Sequence, residues 1–376
     1  MKLQRKNRLR ALSLGAVAVS SALALTACGS DDTGADPGTG DGASAQAGNI
    51  KCDDAQGQLL ADGSSAQKNA MDAWIKQFSV ACKVQINYKA GGSGAGVTAF
   101  TQGQVAFAGS DSALKPEEVT ASKKQCEGGQ GINLPMVGGP IAVGYKLSGV
   151  DNLVLNADTL AKIFDSQITT WNDPAIAKLN PDAKLPSTKI QAFHRSDESG
   201  TTDNFTKYLK EAAPDVWGKY EGGKAWEAKG GQSAPQSSGL AAQVKQTEGA
   251  IGYMELSYAK EGMNTVDLDT GAGTPVEATV DNASKAIAAA KQVGTGSDLA
   301  LELDYATKAE GAYPIVLVTY EIVCDKGNKA DTLPATKALL RYMASEDGQK
   351  ILAENDYAPM PQEIIAKVRT TVEGLS

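Results

Sequence analysis

The chain has 376 residues, 42% of them hydrophobic and 21% charged, with 36 Lys+Arg against 44 Asp+Glu and a net charge of −8. A chain this acidic is a poor binder of nucleic acid, which needs a basic face, and it leaves any anion selectivity to a local, shielded pocket rather than to long-range steering. A single histidine, His194, and five cysteines without Cys-x-x-Cys spacing argue against a metal or bound cofactor.

The N-terminus sets the compartment. Lys2, Arg5, Lys6, Arg8 and Arg10 form a basic region, and Ala11 to Leu25 form a short apolar one. Such a pair is a secretory signal, too short for a spanning helix. Leu25-Thr26-Ala27-Cys28 resembles a bacterial lipobox, which implies cleavage after residue 27, lipidation of Cys28 and anchoring to the extracytoplasmic face of the cell membrane. Without the leader's five basic residues the balance is 31 Lys+Arg against 44 Asp+Glu, a net charge of −13. Residues 28–49 are mostly Gly, Ala, Asp, Ser and Thr with one Pro and no large apolar side chain, cannot bury a core, and read as a flexible tether. The rest exceeds one core of typical size, so two lobes are expected.

Strand-like and helical patterns then alternate. Gly57–Ala61 precedes Gly63-Ser64-Ser65 and a helical stripe of Met71, Trp74, Ile75 and Phe78. Val84–Tyr88 precedes the loop Gly91-Gly92-Ser93-Gly94-Ala95-Gly96, which opens a second helix at Val97 and Phe100. Val105–Ala108 ends in Gly109-Ser110-Asp111. Ile141–Tyr145 is a strand, and Leu160, Ile163 and Phe164 mark a helix after Asp158. Ile190–Phe193 leads to Arg195, and Pro314–Val323 is the longest strand candidate, followed by a helix from Leu333 to Met343. This alternation predicts α/β lobes with mixed, mostly parallel sheets. The four cysteines after Cys28 allow three pairings. Cys52 and Cys82 each precede a strand, and parallel neighbours would join those starts, so Cys52–Cys82 is favoured and Cys126–Cys324 follows by elimination.

The run Arg195-Ser196-Asp197-Glu198-Ser199-Gly200-Thr201-Thr202 is the most informative. Phe205, Tyr208 and Leu209 place its Ser-Gly-Thr-Thr end at a helix start. There, unpaired N–H groups and roughly half a positive charge meet hydroxyls and a planar guanidinium. An ordinary N-cap beside a surface arginine would look the same. Ser64 and Ser93, at two more strand–Ser–helix junctions, favour an anion site instead, and a tetrahedral, oxygen-rich anion such as phosphate fits best. Neither the P-loop nor the dinucleotide pattern is met. Ligands in α/β sheets sit beyond the carboxyl ends of strands, where Ser64, Ser93, Asp111 and Arg195 all fall. Asp111 beside an anion is repulsive unless the anion carries a proton, as phosphate does and sulfate does not. Three helix starts supply roughly +1.5 and Arg195 +1, so Asp111 still leaves about +1.5 opposite a dianion. Asp197 is placed to orient the arginine fork.

These stretches, with Ala250-Ile251-Gly252-Tyr253 and Tyr313-Pro314-Ile315, resemble the phosphate-binding lipoproteins of the high-affinity phosphate ABC transporter over nearly the whole mature chain. The resemblance implies a two-lobed type II periplasmic-binding-protein fold with a hinge: residues 50–140 and 315–376 in one lobe, 141–314 in the other. It implies phosphate contacts from Ser64, Ser65, Ser93, Asp111, Arg195, Ser199, Gly200 and Thr201, with Asp197 behind them. The implied partners are the permease subunits and their cytoplasmic ATPase. Two positions depart from the pattern. Ser65 replaces a bulky aromatic, which leaves its backbone N–H, and Glu198 replaces a glycine. The rival classes are a binder of another oxyanion and a phosphate-ester hydrolase with Ser199 or Ser93 as nucleophile. The hydrolase needs a base, and strand alternation points His194 away from Arg195.

Overall fold

The computed structural model describes residues 50–260 and 262–376. The leader, Cys28 and the expected tether lie outside these residues. The chain begins with β1 (Gln58–Gly63), α1 (Lys68–Cys82), β2 (Gln85–Lys89), α2 (Ser93–Thr101), β3 (Phe107–Ser110) and α3 (Pro116–Ser122). A long strand, β4 (Gly131–Lys146), leads to β5 (Leu153–Asn156), α4 (Ala157–Phe164), α5 (Pro174–Leu179), β6 (Gln191–Arg195), α6 (Gly200–Ala212) and α7 (Pro214–Trp217). Next come β7 (Gln232–Ala234), α8 (Gln236–Gln246), β8 (Ala250–Glu255), β9 (Asn264–Asp269), α9 (Val280–Ala288) and the short pair β10 (Lys291–Gln292) and β11 (Leu301–Glu302). The chain closes with β12 (Val316–Cys324), α10 (Leu333–Met343), α11 (Glu346–Glu354) and α12 (Gln362–Gly374).

One curled sheet runs β2-β1-β3-β12-β4-β8-β6-β7, with β9 joined to β4 and β5. The mixed α/β class matches expectation, but the pairings are evenly divided. β1 pairs parallel with β2 and β3, β6 with β7 and β8, and β5 with β9. The antiparallel pairs come mostly from β4 and β12, which run through the middle of the sheet. β4 follows β3 through α3 and runs in the same direction as β3, but β12 inserts between them, antiparallel to both.

β4 pairs with β12 through Pro140 and with β8 from Ile141 onward. All but one of its 16 residues are buried. Only its second half, Ile141–Tyr145, is recognisable in the sequence, because Pro135, Gly138, Gly139 and Pro140 read as turn residues. Tertiary burial overrides that signal. The β12 register shifts between Thr319 and Tyr320, opposite Val137 and Pro135, so Met136 is the extra residue of a bulge. A proline, which lacks a donor, is tolerated beside such a bulge.

The first half of the sheet is covered by α1, whose Met71, Trp74 and Phe78 are fully buried, and by the C-terminal helices; Trp74 Nε1 donates to the Gly348 carbonyl at 2.7 Å. The second half is filled by aromatics, with Phe164 edge-on to Phe205 at 4.9 Å and Phe205 stacked on Tyr253 at 4.3 Å. Each such side chain contributes about 1.5–3 kcal/mol by leaving water. The disulfides are Cys52–Cys82 and Cys126–Cys324, with Cα separations of 5.1 and 5.3 Å. Both follow from pairing: β1 lies beside β2, and Cys324 sits opposite Gly131 in the β4–β12 ladder.

Candidate functional site

Four strand ends converge. β1 releases Ser64 and Ser65, β2 leads to Ser93 at the start of α2, β3 is followed by Asp111, and β6 ends on Arg195. Ser199 caps α6, its Oγ accepting the Thr202 N–H at 3.3 Å. Ser64, Ser65, Ser93, Asp111, Arg195, Ser199 and Thr201 are each at most 3% exposed. Polar groups this deep need partners, and most have them in one another.

Asp111 is the centre. Its Oδ1 accepts the Thr319 hydroxyl at 2.9 Å and its Oδ2 the Thr201 hydroxyl at 3.2 Å. Its N–H donates to Ser93 Oγ at 3.2 Å, and its carbonyl accepts Asn204 Nδ2 at 2.8 Å. Burial raises its pKa, against hydrogen bonds from Ser64 and Thr319 and the Arg195 charge. Gly200 comes so close that a Cβ there would lie 2.6 Å from Asp111 Cβ and 2.7 Å from Ser93 Oγ. Only glycine lets α6 begin against this loop.

Arg195 is aimed by Asp197. Nε donates to Asp197 Oδ1 at 2.8 Å, and Nη2 pairs with Oδ2. Burial alone would raise Asp197, but the arginine outweighs it and holds the carboxyl below its usual range. The Arg195 N–H donates to the Tyr253 hydroxyl at 3.2 Å, which also bonds Thr202 Oγ1 at 2.7 Å. Among the described residues Nη1 has no acceptor. The first turn of α6 likewise leaves the Gly200 and Thr201 N–H groups without intrahelical partners.

One expectation needs correction in detail. Ser64 and Ser65 lie in the turn ahead of α1, whose first residue is Lys68. The Ser65 hydroxyl turns away to α8, meeting Ser237 Oγ at 3.1 Å and its N–H at 3.0 Å. The start of α8 is a fourth helix terminus at the site, with Gln236 N–H donating to Asp197 Oδ1 at 3.0 Å. The run Gly230-Gly231-Gln232-Ser233-Ala234-Pro235 before it reads as a linker, so the sequence hides it. Thr319 is also missed, although a hydroxyl inside an otherwise apolar strand is a signal.

His194 stacks on Trp226 at 4.8 Å, and its Nδ1 lies 3.0 Å from the Arg195 carbonyl. Burial lowers its pKa. The ring is committed to that stack, not to Ser93 or Ser199.

The PBP superfamily domain matches residues 52–347. Phosphate-binding protein PstS 3 of Mycobacterium tuberculosis (strain ATCC 25618 / H37Rv) is 43% identical over 366 residues, covering 96% of this chain and 97% of that one. PstS 2 of the same strain is 39% identical over 361 residues, 94% and 95% of the two chains. The chain belongs to the PstS family of phosphate-binding proteins. Solved structures agree on the fold. The high-affinity periplasmic phosphate-binding protein PfluDING, bound with phosphate, superposes with a TM-score of 0.65 at 20% identity, covering 83% of this chain and 93% of that one. A protein from Clostridium perfringens, also with bound phosphate, gives 0.59 at 19% identity, covering 81% and 100%. The fold is the type II periplasmic-binding-protein fold.

In this PstS-family chain the mouth of the site is close-packed. Gly94 N–H donates to the Glu198 carbonyl at 3.1 Å. Gly92, at φ 105°, lies so near that a Cβ would sit 2.6 Å from Asp197 Oδ2. Further out, Lys224 Nζ meets Glu118 at 2.7 Å, while the Lys224 carbonyl accepts the Ser199 N–H at 2.9 Å. Ser112 donates to Asp203 at 2.6 Å.

Proposed function

We propose that this cleft captures inorganic phosphate and that the protein delivers it to an ABC importer. The observation that carries the reading is the burial together of a guanidinium held in place by Asp197 and a carboxylate, Asp111, on which its charge bears. Arg195, the starts of α2 and α6 and the Ser65 N–H supply donors for a tetrahedral oxyanion. Asp111 is an acceptor, useful only to an anion that retains a proton. Ser64, Ser93, Ser199, Gly200 and Thr201 complete the ring, with Asp197 holding Arg195.

The lobes are residues 50–140 with 315–376 and residues 141–314. The change of partner along β4 at Pro140/Ile141 supports a hinge there. The lipobox-like Leu25-Thr26-Ala27-Cys28 supports a lipid-anchored position on the extracytoplasmic face, and the family supports permease subunits with an ATPase as partners. The protein acts by binding rather than by catalysis, a reading supported by the stacked His194.

Native mass spectrometry of the purified protein tests this. Retained phosphate, with no turnover of a phosphomonoester, is expected; turnover or a different anion overturns it. Cys28→Ala is expected to move mature protein out of the membrane fraction.

A further inference from the structure

One fully buried acid is left unused by the ring around the anion. Glu321, on β12, has no hydrogen-bond partner for either carboxyl oxygen among the described residues. It lies on the same face of the strand as Thr319, the residue that donates to Asp111. A lone carboxylate cannot be kept in such a place. Burial pushes the Glu321 pKa up to about 8, with Asp111 raising it further and the neighbouring Gln67 side chain lowering it, so the group holds a proton at neutral pH.

Gln67 adjoins it and is also fully buried, with its Oε1 lacking a donor among the described residues. A proton on Glu321 would let its O–H donate to Gln67 Oε1, giving a partner to that oxygen and to one of the two carboxyl oxygens. Gln67 Nε2 then donates to the Tyr88 hydroxyl at 3.0 Å, and Tyr88 O–H donates to the Ser64 carbonyl at 2.8 Å. The chain ends on the peptide that joins Ser64 to Ser65. A trans peptide is planar, with its C=O and N–H opposed. Holding the Ser64 oxygen toward Tyr88 therefore fixes the direction of the Ser65 N–H.

We propose that Glu321, acting through Gln67 and Tyr88, is a positioning residue that aims the Ser64–Ser65 peptide at the bound anion. The proposal rests on the phosphate reading. Asp111 faces Glu321 from the loop after β3 and Tyr88 from β2; among the described residues no cation bears on it. Burial holds Tyr88 well above 10, so it stays neutral through this range. When Glu321 loses its proton, Gln67 loses its donor and a second negative charge appears near Asp111.

Calorimetry of phosphate binding from pH 6.5 to 9.5 on wild type, Glu321→Gln, Glu321→Met and Tyr88→Phe tests this. Glutamine keeps a donor and cannot ionise, so wild-type affinity is expected at pH 6.5 with the alkaline loss removed. The wild-type Kd should rise about tenfold more than that of Glu321→Gln across the range, one pKa unit of linkage. Phosphate's own ionisation is common to both and cancels in the ratio. Glu321→Met and Tyr88→Phe, which lack the donor and the relay, should bind several-fold more weakly at pH 6.5. Identical pH profiles for wild type and Glu321→Gln, or full affinity in the methionine variant, overturn the positioning role. Failure of wild type to bind phosphate at any pH overturns the phosphate reading itself, and this role with it.

Discussion

Asp111 accepts hydrogen bonds from two hydroxyls, and under the proposed phosphate reading it is the single residue that sorts one anion from another. Sulfate offers it only lone pairs, whereas phosphate and arsenate offer a proton. Asp111→Asn should therefore lose part of its rejection of sulfate while phosphate affinity changes less, because the amide can donate as well as accept. Competition binding with sulfate checks this; equal rejection by both proteins would place selectivity elsewhere. Arg195 is the complementary residue. Arg195→Ala removes a desolvated, bidentate-capable charge and leaves Asp197 with only the Gln236 N–H. A loss of several kcal/mol, tens- to thousands-fold in affinity, is expected by calorimetry with the fold intact by circular dichroism. Arg195, Asp197 and the three serines are visible in the sequence because repeated strand–serine–helix junctions, one of them with an arginine, exceed what ordinary capping explains. Thr319 and Ser237 are not, because their roles come from strands and helices brought in from far along the chain.

At the scale of elements, the site depends on how closely α6 can approach the loop after β3. Gly200 makes that approach, and a methyl group there would meet Asp111 Cβ, the Asp111 N–H and Ser93 Oγ. These are backbone or well-held atoms, so the helix start must retreat. Gly200→Ala should weaken phosphate binding at least about tenfold, the effect of a misplaced donor set, with little loss of thermal stability in the ligand-free protein. Undiminished affinity by calorimetry would show that the helix start has room to spare. The same packing explains why β4 is half hidden in the sequence. Its glycines and prolines obey no strand pattern, yet a strand buried on both faces needs no alternation.

Over the whole molecule, polar contacts near the site join regions far apart in sequence: Lys224 with Glu118, Ser112 with Asp203, and Ser65 with Ser237. Behind them, Glu255 ends β8 opposite Ile141, where β4 changes partner. It is fully buried, and burial lifts its pKa to about 8 despite hydrogen bonds from Ser257. The fold thus holds a proton that the unfolded chain releases near the ordinary glutamate value. The unfolded state binds fewer protons between these limits, so this group's contribution to stability is complete below about pH 4.5 and is lost as pH rises through about 8. Glu255→Gln should flatten the fall in Tm between about pH 5 and 8; a Tm profile parallel to wild type would mean that Glu255 is charged in the fold.

The α/β alternation, the three strand–serine–helix junctions and the arginine motif can be read from the residues alone. The sequence left three disulfide pairings open and favoured Cys52–Cys82 and Cys126–Cys324, the pairs the structure holds. These features are local: a helix start, a glycine loop or a strand end is specified by a handful of adjacent residues. The central antiparallel strands, the turn of the Ser65 hydroxyl toward α8, and the burial of Glu255 and Glu321 emerge only from the packed fold. Those depend on contacts between segments up to hundreds of residues apart, where burial energy and the demand that every polar group find a partner override local propensity.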